Sequence, residues 1–391
     1  MNIILFDDSR RDHLLPLAFT RPLGEFRVGI LTIREKWEKW MNCSASCRTM
    51  PYLKKKFPES AGDDNLFIAG SILPDEDFCE ALSRLNLGEG LRHQGEILAL
   101  RIDSAPEIWP EQEINWLDYT TDPFRILNLW DIFSLNDKAL RSDFNLLTRG
   151  RSSANVGAGN TIIGENFFAE EGAVAYSAVF NTTTGPIYLG KNSEVWEGSV
   201  IRGSFALGDH SIVKLSAKIY GATTVGPESR VGGELNNSVI FGYSNKGHDG
   251  FLGNSVLGEW CNIGADSNNS NLKNNYDLVK LWNYPKQSFV NTGLQFCGLI
   301  MGDHSKCGIN TMFNTGTVVG VSSNIFGAGF PRNFIPSFSW GGAQGMTEYK
   351  LDKAAETAAR VMERRHIEFD TVEQALFEEV YRLTGTFRQG G

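Results

Sequence analysis

Two places in this chain carry residues suited to chemistry. His248 stands in the glycine-rich stretch Gly242-Tyr243-Ser244-Asn245-Lys246-Gly247-His248-Asp249-Gly250-Phe251. A neutral imidazole, with an ordinary pKa of about 6.5, takes a proton from an attacking nucleophile near neutral pH. The bland alternative is a surface or capping histidine. Near the start, an apolar run over residues 3–6 leads into Asp7-Asp8-Ser9-Arg10-Arg11-Asp12-His13 and then to Thr20-Arg21-Pro22. The loop after the first strand of an α/β sheet is a usual phosphate site, and Arg11 and Arg21 offer guanidinium forks for phosphate oxygens. The six histidines (13, 93, 210, 248, 304 and 366) are scattered, and the six cysteines contain no C-x-x-C pair. A zinc or carbonic-anhydrase-like site is therefore disfavoured, and the cysteines read as reduced, mostly buried thiols.

What must position these residues is a repeat. Every sixth residue from Leu189 is aliphatic: Leu189, Val195, Ile201, Leu207, Val213, Ile219, Val225 and Val231. Eight in one frame has a chance on the order of 10⁻⁵. Four residues after each stand Ser193, Ser199, Phe205, Ser211, Ala217, Thr223 and Ser229, six of the seven small. Glycine follows the apolar residue at 190, 208 and 226, eighteen residues apart. Period six fits neither the 3.6 of a helix nor the 2 of a strand. It fits a three-sided coil of eighteen residues, each side pointing one aliphatic residue to the axis, with glycine at one corner where positive φ or close approach costs least. The frame breaks after Val231, so His248 is expected on a loop thrown out of the scaffold. It resumes with Phe289, Gln295, Met301, Cys307, Phe313, Val319 and Ile325.

With 391 residues the chain exceeds one small module. Residues 1–148 alternate strand-like runs (3–6, 66–69, 97–102) with helix-like segments such as 76–87, and read as an α/β domain. Residues 149–335 read as the solenoid. Residues 336–391 hold two amphipathic helices expected to cap its last coil. Lys plus Arg is 37 and Asp plus Glu is 46, a net charge of −9 without a basic stripe. Nucleic acid is accordingly a poor partner. Apolar runs are too short for a membrane span, and the first residues lack the pattern of a signal peptide, so the chain is expected in the cytoplasm with no membrane partner.

The repeat resembles the left-handed parallel β-helix acyltransferases. Lys246-Gly247-His248, Leu252-Gly253-Asn254, Asn262-Ile263-Gly264-Ala265 and Asn271 together resemble the acetyltransferase half of bacterial bifunctional N-acetylglucosamine-1-phosphate enzymes. The resemblance implies acetyl-CoA as co-substrate, His248 as general base, and Lys246, Asn262 and Asn271 as contacts to the amino sugar and acetyl group, with the backbone of Ala265 facing the thioester. An Asn ladder or turn is the alternative for the two asparagines. Phe251 stands where that family has Tyr and Asn236 where it has Lys, and both positions touch the expected sugar-phosphate contacts. The resemblance also implies a homotrimer with coenzyme A between neighbouring solenoids. Arg364-Arg365-His366 reads as a solvated stretch, with contact to coenzyme A phosphates from a neighbouring subunit as its other reading.

At the N-terminus, Leu14-Leu15-Pro16-Leu17 and Thr20-Arg21-Pro22 resemble a sugar-nucleotidyltransferase signature in part. The glycine-rich turn is replaced by Asp7-Asp8-Ser9 and the usual Lys by Arg21. This resemblance implies binding of a nucleoside triphosphate and a sugar 1-phosphate by Asp8, Arg11, Thr20 and Arg21, with Mg²⁺ held by Asp8 and Asn136. A turn-closing Asp and a helix-capping Asn are the alternatives. As a whole the chain resembles bifunctional enzymes with a shortened first domain. A nucleotidyltransferase whose solenoid only trimerises, and a non-catalytic assembly protein, are the competing readings.

Overall fold

In the computed structural model, which describes residues 1–388, the chain forms two compact units. The first contains Met1–Leu14, Arg21–Phe26 and Leu31–Asn128; the second contains Leu15–Thr20, Arg27–Ile30 and Leu129–Gly391. The expected boundary at 148/149 therefore moves: the segment from Leu129 onward, with the helices before the solenoid, belongs to the second unit.

The first unit is a six-stranded sheet of β1 (Asn2–Phe6), β2 (Ala45–Arg48), β3 (Asn65–Ala69), β4 (Glu89–His93), β5 (Glu96–Ile102) and β6 (Asn115–Asp118), in the order β2-β1-β3-β5-β4-β6. Strands β1, β2 and β3 are parallel, and β5 pairs antiparallel with β3 and β4. The near-continuous apolar text of β1 and β3 reflects burial on both faces. Helix α1 (Ile33–Met41) starts at a capping box in which Thr32 and Glu35 satisfy each other's backbone N–H groups. Its Trp37 is buried, and the indole Nε1 donates to the Ile72 carbonyl at 2.9 Å. Helix α2 (Glu76–Ser83) is capped by Asp75. Because the chain places β2 on one side of β1 and β3 on the other, the topological switch point lies at the carboxyl end of β1, where Asp7 and Asp8 stand.

The second unit holds the short helix α3 (Asp131–Ser134), helix α4 (Asn136–Thr148), and the expected parallel β-helix with three faces of six, nine and ten strands. Its inward residues form one continuous core that includes Leu189, Val195, Ile201, Leu207, Val213, Ile219, Val225 and Val231. Each buried aliphatic side chain contributes roughly 1.5–3 kcal/mol, and none can be buried without coils above and below it. The small slot holds buried serines whose hydroxyls tie neighbouring coils. Ser211 Oγ donates to the Gly226 carbonyl at 2.9 Å and accepts from Ser229 N–H at 2.9 Å. A large side chain there would leave those backbone groups unpaired.

Glycines 190, 208 and 226 work by close approach, not by φ. A Cβ on Gly208 would stand 2.7 Å from the Gly226 carbonyl carbon. The left-handed corner lies two residues later and is filled by other types: Asn192, His210, Glu228, Tyr243, Trp260, His304, Ser322 and Phe338 all have φ of 52–61°. Tyr243 stacks on Trp260 at 4.4 Å, and Trp260 on His304 at 6.0 Å, so this corner is an aromatic ladder.

Two expectations about the frame are corrected. The His248 region is not a thrown-out loop, because Asn245–Lys246 continues the third face in register with Arg230–Val231. The pairs Val213↔Val231 and Val231↔Lys246 give coils of 231 − 213 = 18 and 246 − 231 = 15 residues. The frame breaks because a coil is three residues short. Further on, Leu257 pairs with Met301, so one coil holds 301 − 257 = 44 residues and carries 44 − 18 = 26 extra. Phe289 lies in the resulting antiparallel hairpin, Lys280–Asn283 with Ser288–Asn291, and is 43% exposed; Gln295 follows it and is exposed too. Neither is a core residue, and the solenoid frame resumes at Met301.

Helices α5 (Leu351–Glu363) and α6 (Thr371–Leu383) do not simply close the last coil. Phe377 of α6 meets His304 at 4.9 Å and Phe338 at 5.8 Å. Arg365, two residues after α5, reaches Asn245 and Glu228 at 3.5 and 3.8 Å. The helices thus run along the aromatic corner, whose rings offer an apolar flank that the polar outer surface of a coil lacks. Among the described residues no helix is long and apolar enough to cross a membrane.

Candidate functional site

The third face carries a groove of about 760 Å³ lined by His248, Asn262, Gly264 and Ala265. Its floor follows from the register. The outward position after the inward residue is glycine on four successive coils, at Gly232, Gly247, Gly264 and Gly308, of which Gly247 and Gly264 line the groove. A Cβ on Gly247 would meet only the flexible side chain of Lys214, so this glycine serves open space. A strip without side chains lets a ligand lie against backbone. Trp196, Tyr243 and Trp260 are the aromatic rings of its lining, while Lys214, Arg230, Lys306, Arg364 and Arg365 supply five cations, with no carboxylate among the lining residues. Burial lowers Lys306 to about 8. Arg365 is lowered by burial first and then by the neighbouring charge of Arg230. Such a groove suits an elongated ligand bearing phosphates and a ring.

The imidazole of His248 is exposed at the corner that leads from the third face to the first, and makes no hydrogen bond among the described residues. Asn262 points outward from the third face into the same groove. The Gly264 N–H is taken by the Cys307 carbonyl at 3.1 Å, whereas the Ala265 N–H has no partner among the described residues and is the one donor of this turn open to a ligand. Two of the expected contacts are not in this groove. Asn271 is half-buried, and its Nδ2 donates to Asn254 Oδ1 at 2.8 Å. With Phe251 and Asn236, which occupy adjacent coils of the first face, it lies on the other side of the His248 corner.

Lys246 is corrected more sharply: it takes the inward position of its coil and is 1% exposed. Its Nζ donates to the carbonyls of Gly232, His248 and Asp249 at 3.1, 2.5 and 3.3 Å. Burial lowers it to about 8, against the weaker pull of Asp249, Cys307 and Asp266. Below pH 8 the lysine is charged both folded and unfolded, and its burial penalty is fully present. Between about 8 and its ordinary value of 10.5 the folded state releases the proton first, so this residue's contribution to stability rises with pH. Relative to Lys246→Met, the natural chain should gain up to about 3 kcal/mol across that window. Urea denaturation of both proteins at pH 7.5 and 10.5 checks the sign; a constant difference refutes it.

In the first unit, the acidic pair after β1 is occupied internally. Asp7 accepts from Leu23 N–H at 2.9 Å, Thr49 Oγ1 at 2.5 Å and Arg11 Nε at 3.1 Å. Asp8 accepts from Arg10 N–H at 2.8 Å, and from both the N–H and the hydroxyl of Ser71. Burial raises both carboxyls above the usual range. Arg11 is 7% exposed and is tied to Asp7, Asp12 and Tyr52, and Arg21 is 5% exposed. Neither presents an open fork to phosphate. Two further cations of this unit, Arg10 and Arg125, both pair with Glu96, and the charge of Arg125 also acts on Asp8. Despite the opposing effect of burial, they keep the Glu96 carboxyl below the usual range. Arg125 lies far from the β1 loop in sequence, so no local spacing pointed to it.

Thr20 and Asn136 fall in the second unit. Thr20 Oγ1 donates to Asp303 Oδ2 at 2.8 Å. Asn136 is fully buried: its Oδ1 accepts from Gly29 N–H at 2.7 Å and Thr224 Oγ1 at 3.2 Å, and its Nδ2 donates to the Ala222 carbonyl at 2.9 Å. It caps no helix either, being the first residue of α4. With Asn136 saturated and both Asp8 oxygens engaged, these residues do not fit a magnesium ion, and no step is derived through one. No group of three or more His, Cys, Asp or Glu able to hold a metal occurs among the described residues. The six cysteines are free thiols, four of them buried.

Fold and groove together define a hexapeptide-repeat β-helix protein preceded by an α/β sheet. Residues 3–152 match the model of a family described as sugar nucleotidyl transferase. That match supports a transferase of sugar-nucleotide metabolism as the broad kind. Among solved structures, the chain is similar to an Arabidopsis UDP-N-acetylglucosamine acyltransferase, at 12% identity and a TM-score of 0.27 over 60% of this chain and 94% of that one. No curated protein matches the sequence.

Proposed function

We propose that the β-helix groove transfers an acetyl group from acetyl-CoA to the amino group of a sugar 1-phosphate, glucosamine 1-phosphate being the first candidate. The observation that carries this reading is the gathering of His248, Asn262 and the open Ala265 N–H in one groove with five cations and three aromatic rings. The cations and rings suit the phosphates and base of coenzyme A, and the glycine floor suits its narrow arm. The amine nitrogen attacks the thioester carbonyl carbon as His248 takes the amine proton, and the Ala265 N–H faces the oxyanion. The C–S bond then breaks, and the thiolate leaves with the proton from the imidazolium. In this reading Asn236, Phe251 and Asn271, across the corner from the groove, would meet the sugar. Incubating the purified chain with acetyl-CoA and glucosamine 1-phosphate, and following free thiol, tests the reading; no thiol release with any amino-sugar 1-phosphate refutes it.

The family match over residues 3–152 favours a second activity, nucleotidyl transfer from UTP or another nucleoside triphosphate to the sugar 1-phosphate. Pyrophosphate release with UTP or dTTP tests it separately. A homotrimer is part of the proposal, although Val361, Arg364 and Arg365 already give the groove one wall from its own chain. Arg364→Glu and Arg365→Glu should each weaken coenzyme A binding by roughly tenfold, since each replaces attraction to a phosphate by repulsion. Calorimetric titration with coenzyme A measures this, and unchanged affinity in both variants removes that wall from the site.

A further inference from the structure

Lys246 sits where the repeat calls for an aliphatic side chain. In the same column of the third face stand Val195, Val213, Val231, Ile263, Cys307 and Ile325. An ammonium in that column is costly unless it does something the aliphatic residue cannot. Its three acceptors are all backbone carbonyls, and two of them belong to the corner over residues 247–250 that carries His248. The Asp249 carbonyl also accepts from Asp266 N–H at 3.0 Å, whereas no backbone N–H among the described residues reaches the His248 carbonyl, which leaves Lys246 as its donor. The coil below makes room for the corner. Gly233 has φ +73°, and a Cβ there would stand 2.8 Å from the His248 carbonyl oxygen.

We propose that Lys246 is a positioning residue: from inside the β-helix its ammonium grips the carbonyls of His248 and Asp249, and so sets where the imidazole stands at the mouth of the groove. The proposal deepens the reading of His248 as general base and rests on it for its catalytic consequence. The side chain touches no substrate. It acts only through the backbone of the corner.

The test is Lys246→Met, which keeps an unbranched chain of similar length and removes the donors. Backbone order parameters from ¹⁵N relaxation at residues 247–250 should fall from about 0.85 to below about 0.6, with the neighbouring coils unchanged. Where acyl transfer is measured, kcat should drop at least about tenfold while KM for acetyl-CoA stays within about twofold, the pattern of a misplaced base and not of a lost binding site. Unchanged order at 247–250 overturns the proposal whether or not the natural chain transfers acetyl groups. Absence of transfer by the natural chain overturns the proposed function instead, and the two failures stay distinguishable. Should Lys246→Met not fold, Gly233→Ala tests the same contact by pushing the His248 carbonyl off the ammonium. The same local loss of order is then expected, and its absence overturns the proposal.

Discussion

His248→Ala should lower kcat/KM for acyl transfer by about 10²–10⁴, the usual worth of a general base, and leave the fold intact. The fold is spared because the imidazole is exposed and makes no hydrogen bond among the described residues, while the corner is held by backbone contacts to Lys246. The attacking amine of an amino sugar must lose its proton as it bonds to the thioester carbon, and His248 is the one histidine lining the groove. Residual activity should rise with pH as more free amine is supplied by solvent. Initial rates of thiol release over pH 6–9 for both proteins decide the matter: a variant within about threefold of the natural chain removes His248 from the base role.

The second large effect concerns stability. Asn136→Ala should cost about 3–5 kcal/mol, because it strands a buried N–H of Gly29 and a buried carbonyl of Ala222, while the Thr224 hydroxyl keeps the Gly29 carbonyl at 3.0 Å as its acceptor. Asn136→Asp should fail as well, since a carboxylate would face the Ala222 carbonyl and carry a buried charge. Urea denaturation gives the loss, and a change below about 1 kcal/mol would show that these groups find other partners. Nucleotidyl transfer, if present, should then follow the folded fraction alone, as a structural residue and not a metal ligand requires.

Asn136 also shows where reading the sequence stops. Asparagine before a helix has the types of atom that a metal ligand or a cap needs, and its neighbours in sequence do not distinguish these roles. Its partners are Gly29, Ala222 and Thr224, up to 107 residues away. The same holds for Arg11, whose guanidinium is suited to phosphate by type but is spent on Asp7 and Tyr52. Lys246 has the clearest signal in hindsight. Counting six on from Ile240 lands on it, and a lysine in an aliphatic frame marks either the end of the frame or an ion inside it.

The sequence by itself determined the coil. Period six is a local rule, repeated often enough that each aliphatic and each small residue reports the same three-sided geometry, and the strand-like runs of the N-terminal sheet are equally local. His248, Asn262 and Ala265 were singled out by the resemblance of their motif and not by the period, which breaks where they stand. Only the tertiary structure decided that the short coil keeps its register, that Lys246 turns inward, that the hairpin and not the core takes Phe289, and that Arg364 and Arg365 arrive at the groove from more than a hundred residues away. The physical reason is the same in each case. Periodicity tells which way a side chain points within its own coil, whereas partners and charge balance depend on which distant segment packs against it.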